Sequence, residues 1–112
     1  NAVVAEINAS RARAGLAPLQ QHQDLNAKAD HWASTLRDRC QISHSRLADG
    51  APSNWRKLGE NVGRGGTISQ VHVAYMNSSG HRANILNHGH RRIGVASARS
   101  GSGTVFWCQQ FR

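Results

Sequence analysis

The stretch from Asn77 to Ala96, NSSGHRANILNHGHRRIGVA, changes its hydrophobic period halfway along. Ser79 can cap a short helix that runs through Ile85 and Leu86, whereas Ile93 and Val95 alternate with small residues as a strand does. Helix hands over to sheet here. Downstream, RSGSG at 99–103 supplies a turn, and Val105, Phe106, Trp107, Cys108 and Phe111 form a second apolar run. Residues 92–111 therefore read as a β-hairpin. The same stretch holds three histidines and three arginines. The expected division is that Arg82, His88, His90, Arg91 and Arg92 face water and only His81 points inward.

Working outward, the chain before Asn77 is helical with one interruption. Thr67 and Gln70 make a capping-box pattern ahead of Ile68, Val71, Ala74 and Tyr75, predicting a helix that ends near Asn77. Leu25, Ala29, Trp32, Ala33 and Leu36 repeat at amphipathic spacing, predicting a core helix over 24–39 with Asp24 as its cap. Val3, Val4, Ile7 and Ala14 share one side of a helix over 2–14 that stops at Gly15. From Gln41 to Gly66 the periodicity fails, and Asp49, Gly50, Pro52, Gly59, Gly63, Gly65 and Gly66 mark a long loop region. Helices followed by a small antiparallel sheet make an α+β or layered sandwich domain.

At 112 residues the chain is one domain, 1–112. No apolar run approaches the ~20 residues of a membrane span, and no leader pattern is seen, so a soluble, mature, non-transmembrane chain is expected. The net charge is +8 and the pI near 11.3. Such a balance favours acidic partners: nucleic acid, anionic headgroups, or teichoic and other acidic wall polymers. The 12 Arg and 2 Lys are scattered, however, in runs no longer than two. A solvated basic surface accounts for them, and the few aromatics speak against base stacking.

Two cysteines, Cys40 and Cys108, lie too far apart in sequence for a zinc knuckle or a CxxC motif. A disulfide is the expectation, with roughly 4 kcal/mol of loop-closure stabilisation and an oxidising compartment implied.

Carboxylates are scarce. Asp24, Asp30 and Asp38 belong to ends or off-core positions of the second helix, Glu6 to the first, and Asp49 to a turn. Glu60 remains, in LGENVG, where glycines let the backbone approach other groups closely. Its structural alternative is to accept backbone N–H groups that tie the loop down.

Among the histidines, His22, His31, His72, His88 and His90 read as solvated or capping, and His88 with His90 is a weak HxH metal pair. His44 follows Cys40, so a disulfide would anchor its loop to the final strand. His81 sits in the first turn of the short helix, where the dipole keeps imidazole neutral, as a metal ligand or general base requires. His44, Glu60 and His81 together suit zinc with an open position, or an acid/base pair with an orienting carboxylate.

Four blocks now stand in order: NASRARAGLAPL with Asn8, Arg11, Gly15, Leu16, Pro18 and Leu19; His44–Ser45; Gly59–Glu60–Asn61; and Gly80 to Leu86, with Gly94 following. Together they resemble the CAP superfamily of cysteine-rich secretory, antigen 5 and pathogenesis-related 1 proteins, and most of all its bacterial secreted SCP-domain branch. The resemblance spans essentially the whole chain. It implies a three-layer α-β-α sandwich with a small central antiparallel sheet and a cavity lined by two His and two acids that in some relatives hold a divalent metal.

On that resemblance His44, Glu60 and His81 match three cavity residues, the metal being Zn²⁺ or another divalent ion. Where many eukaryotic relatives carry the second acid three residues after a Trp, this chain has Ser78 after Tyr75. Ser78 therefore joins the expected cavity lining.

The expected function is a secreted or cell-envelope monomer that binds a lipid, a cell-wall polymer or a protein, with no specific nucleic-acid recognition. Alternatives are a metal-assisted hydrolase, with His44, Glu60 and His81 catalytic and Ser45 or Ser78 supplying a hydroxyl, and a small basic secreted ribonuclease. Two NxS sequons, at Asn8 and Asn77, read as chance occurrences.

Overall fold

The computed structural model describes residues 1–45 and 58–112. Its elements run α1 (Ala2–Arg13), β1 (Gln20–Gln21), α2 (Gln23–Arg39), β2 (Gly59–Arg64), α3 (Ile68–Met76), α4 (Ser79–Ile85), β3 (Arg92–Arg99) and β4 (Val105–Phe111). The turn expected around Asp49, Gly50 and Pro52 lies outside the described residues.

Local chemistry accounts for the helix ends. Asn1 caps α1 by accepting the Val3 N–H at 2.8 Å, and Thr67 Oγ1 accepts the Gln70 N–H at 3.1 Å, half of the expected capping box. At the far end of α1, Gly15 takes a φ of +76°, and the Gly15 and Leu16 N–H groups close back on the Ala12 and Arg11 carbonyls. Two expected caps are displaced by one or two positions. The residue before α2 is His22, not Asp24, which instead lies in the first turn facing the positive end of the dipole. The residue before α4 is Ser78, not Ser79, and its hydroxyl is turned to His81 rather than to a backbone N–H.

The hairpin forms as the sequence indicates, with Ile93 opposite Phe111 and Ala98 opposite Phe106. The sheet extends beyond it. β2 pairs antiparallel with β4, from Gly59 opposite Phe111 to Arg64 opposite Phe106, so a six-residue strand lies inside the segment expected to be loop. β1 adds to β3 in parallel, making the order β1-β3-β4-β2 and the sheet mixed rather than purely antiparallel.

Alternation along the strands then creates two cores. Ile93, Val95 and Phe111 face α1, α3 and α4, packing with Val4, Ile7, Val71, Tyr75 and Ile85. Val62, Ala98, Phe106 and Cys108 face α2 and pack with Ala29, Ala33 and Leu36. Helices on both faces explain why β4 is buried along nearly its whole length rather than at alternate residues. The result is the expected three-layer α+β sandwich. At Gly94 the fit under α2 is tightest: a Cβ there would stand 1.9 Å from the Leu25 carbonyl carbon.

Three expectations are corrected by burial. Both cysteines are free thiols: Cys40 is exposed at the end of α2, and Cys108 is buried within the α2-facing core. The pleat turns Cys108 inward while Cys40, at a φ of 52°, closes the helix at the surface, so the Cys40–Cys108 disulfide is absent. The anchoring of the His44 loop and the oxidising compartment lose that support. His90 is 1% exposed and stacks on Phe111, and His72 is 8% exposed with its Nε2 2.8 Å from Ser10 Oγ, so neither is a solvated histidine.

Candidate functional site

A cleft of about 310 Å³ opens where β2, the start of α4 and the segment after α2 meet, lined by His44, Glu60, Asn61, Ser78, Gly80, His81 and Asn84. Each element delivers its residue for a local reason. β2 places Glu60 and Asn61 on opposite faces, α4 carries Gly80, His81 and Asn84 past the strand, and His44 follows the turn that Cys40 begins.

Glu60 is the centre of the polar network. Its carboxylate is fully covered, yet no Lys or Arg among the described residues meets it. Donors surround it instead. Oε1 accepts from the Ser45 N–H at 2.8 Å and lies 2.9 Å from His44 Nδ1, while Oε2 accepts from Ser45 Oγ and Gln110 Nε2. Glu60 thus accepts a backbone N–H at Ser45 and stands against the His44 imidazole. The His44 side chain itself is 63% exposed.

His81 is held differently. Its Nδ1 lies 2.8 Å from Ser78 Oγ, and its ring stacks on Tyr75 with centroids 4.6 Å apart. Burial pushes its pKa below the usual 6.5, a hydrogen bond to the Val62 backbone opposes this, and the charge of His44 adds to the lowering. Desolvation thus favours the neutral ring. Burial likewise raises the Tyr75 phenol, whose oxygen has no partner among the described residues.

Amide side chains beneath the cleft bind α4 to β2. Asn84 Nδ2 donates to the Glu60 carbonyl at 3.0 Å and to Asn61 Oδ1 at 2.9 Å. Asn61 Nδ2 donates to the His81 carbonyl at 3.2 Å and to Gln109 Oε1 at 3.0 Å. Asn61 and Asn84 stand inside the GEN and GHRANIL blocks, where no role had been assigned to them. Gln110 had no signal at all, since only the β2–β4 register sets it opposite Glu60.

A divalent metal fits this donor set poorly. Among the described residues no three His, Cys, Asp or Glu side chains are grouped to hold an ion. Both Glu60 oxygens are taken by donors, and His81 Nδ1 is taken by Ser78. The HxH pair dissolves as well, with His90 buried and His88 exposed.

The model of the family described as CAP, cysteine-rich secretory protein family, matches residues 4–111. The chain is 37% identical to the uncharacterized protein YkwD of Bacillus subtilis strain 168, covering 97% of this chain but 45% of that protein. It thus spans under half of that relative's length. In structure it is similar to an outer surface protein of Borrelia burgdorferi, with a TM-score of 0.87, 19% identity, and 97% of this chain and 87% of that chain covered. It is also similar to NaASP2 solved with Zn²⁺, with a TM-score of 0.74, 11% identity, and 97% and 76% covered.

Proposed function

The chain belongs to the CAP, or cysteine-rich secretory protein, family, and from that membership we propose that it is an extracellular binding module whose cleft takes a neutral, hydrogen-bonding part of a cell-wall polymer. The chemistry of the lining carries this reading. The described residues around the cleft offer imidazoles, amides and a hydroxyl, with no Lys or Arg to hold an anion and no apolar side chain to hold a lipid tail. Glu60 repels nothing neutral and leaves no spare oxygen, since its carboxylate is already surrounded by donors. Hydroxyl and acetamide groups of a sugar complement such a surface. An extracellular setting is supported by the likeness to an outer surface protein, and no helix among the described residues is long and apolar enough to cross a membrane.

A metal-assisted hydrolase is the second reading, favoured by the Glu60–His44 and Ser78–His81 pairs. A resident zinc is not part of the first reading, because no three metal-ligating side chains are grouped among the described residues. Zn²⁺ titrated into wild type and His44→Ala should give equal, negligible heats; a saturable heat lost in the variant would restore the hydrolase. The ribonuclease reading lacks a phosphate-holding side chain in the described lining.

The decisive test is an NMR titration with chitotetraose, a neutral acetamido sugar, up to about 10 mM, where weak carbohydrate sites saturate. Saturable shifts of the His44 and His81 ring signals that vanish in Asn84→Ala are expected. No shift in wild type, or tight binding of a fatty acid that displaces the sugar, would overturn the reading.

A further inference from the structure

Arg92 and Arg112 face each other directly across the β3–β4 ladder, each donating its backbone N–H to the other's carbonyl, at 2.8 and 2.9 Å. Residues opposed in this way project to the same face of the sheet, with Cβ atoms about 5 Å apart, and like charges so placed destabilise the pair. Arg91 adds a third charge. Its N–H also donates to the Arg112 carbonyl at 2.8 Å, and its guanidinium is steered by the His88 and His90 carbonyls. Arg91 is also a charged neighbour of the buried Arg11 guanidinium, whose pKa is lowered first by burial and then by Arg91.

No Asp or Glu side chain pairs with these arginines among the described residues. The ion pairs there are His22–Asp24, Arg37–Asp38 and His44–Glu60. Asp24, at the start of α2, meets His22 rather than either arginine. Arg91 and Arg92 are exposed, and Arg112 Nε is buried with no hydrogen-bond partner. Among the described residues no carboxylate side chain compensates this cluster, and an anion from outside the chain would relieve it.

Guanidinium groups bind phosphate through paired N–H···O bonds. Three of them along one sheet end match a linear polyanion better than a single ion. Docking on a membrane needs apolar side chains beside the charges, and the exposed large ones among the described residues, Ile42 after α2 and Val73 on α3, lie elsewhere. Stacking of nucleobases needs an exposed ring, whereas Phe111 beside Arg112 is 1% exposed. We propose that Arg91, Arg92 and Arg112 form a docking surface for a phosphodiester polymer of the glycerol-phosphate type. This surface uses none of the cleft residues.

The test titrates the whole chain with lipid-free poly(glycerol phosphate) by calorimetry across a salt series. Affinity should fall with log salt at a slope of about −2, three contacts at ~0.7 each. Arg92→Gln/Arg112→Gln should bind at least about tenfold more weakly, losing two of three phosphate contacts. It should melt no lower than wild type, because a repulsion has been removed. Arg37→Gln/Arg39→Gln, an equal charge change at the end of α2, should stay within about twofold. Equal loss in the two double variants would assign binding to net charge and overturn the surface. So would the lack of saturable binding, or capture by phosphatidylglycerol vesicles that survives Arg92→Gln/Arg112→Gln. His44→Ala should leave polymer affinity unchanged, so a failed sugar titration in the cleft does not decide this result.

Discussion

The guanidinium of Arg11 on α1 lies 2.8 Å from the Ile85 carbonyl at the end of α4, 74 residues away in sequence. It also donates to the Asn87 carbonyl at 2.9 Å and, through Nε, to that of Ala17 at 2.8 Å. Arg11 is 1% exposed and has no carboxylate partner among the described residues. Its charge is solvated by three carbonyl dipoles, two of them just beyond or at the negative end of α4. Through this contact α1 holds the helix that carries His81.

Arg11→Ala should therefore lower unfolding free energy by about 3 kcal/mol, since three carbonyls lose a charged donor and a large buried side chain leaves a void. Arg11→Lys should recover less than half, because an ammonium does not span three divergent carbonyls. Urea denaturation followed by tryptophan fluorescence measures both. A Lys variant as stable as wild type would refute the geometric account.

Removing the Glu60 carboxylate strands the Ser45 N–H and the buried Gln110 amide. Glu60→Ala should cost about 2 to 4 kcal/mol, and Glu60→Gln less, since one oxygen remains to accept. In both variants the His44 ring signals should broaden or shift as the imidazole loses its 2.9 Å partner. His44 shifts that match wild type would show that Glu60 does not orient the ring.

Gly94→Ala forces a Cβ to within 1.9 Å of the Leu25 carbonyl carbon and 2.2 Å of the Asn26 nitrogen, both rigid helix backbone. Overpacking of this kind typically costs about 1 to 3 kcal/mol, and here α2 must move as a body, so the loss should lie at or above that range. The same change at Gly80, where nothing lies within 4 Å, should be nearly silent. Thermal melts of the two variants compare them directly.

The thiols should respond unequally. Burial pushes the Cys108 thiol up to about 12, with the Gln110 amide and the nearby Lys28 opposing and Glu60 reinforcing. Iodoacetamide at pH 8 should add one equivalent to native protein, at exposed Cys40, and a second only after unfolding. Two equivalents on the native protein, or none, would contradict this assignment.

Acid should destabilise the protein. Burial lowers the pKa of both His72 and His81 below the 6.5 of an unperturbed ring. For His72, Glu6 opposes that lowering and Arg13 adds to it. Below pH 6.5 the unfolded chain takes up protons that the folded one resists, so unfolding gains and stability falls with falling pH. Well above 6.5 both states are neutral and the contribution is constant. Denaturation midpoints should drop between about pH 7.5 and 5, and His72→Asn/His81→Asn should flatten the dependence. A midpoint that rises in acid would reverse the sign.

The elements legible in the sequence are those whose signals are local. The Thr67 cap, the Gly15 stop, the stripe from Leu25 to Leu36 and the alternation at Ile93 and Val95 each depend on residues within a turn or two. β2 was hidden because a Gly-rich run has no strand propensity of its own, and it becomes a strand by pairing with β4. The cleft was half visible. The blocks holding His44, Glu60 and His81 could be singled out by residue type, whereas Gln110, Asn84 and the burial of Arg11, His72 and His90 could not.

What the sequence determined by itself, then, is where the helices and the β3–β4 hairpin form and which few residues carry chemistry, because backbone preference and side-chain type are properties of short stretches. Tertiary structure decided that Cys40 and Cys108 stay apart, that the Glu60 carboxylate is engaged by donors from two other segments, and that Arg92 stands against Arg112. Those outcomes depend on strand register and on which face of the sheet each residue occupies, and register is set by packing between segments distant in the chain.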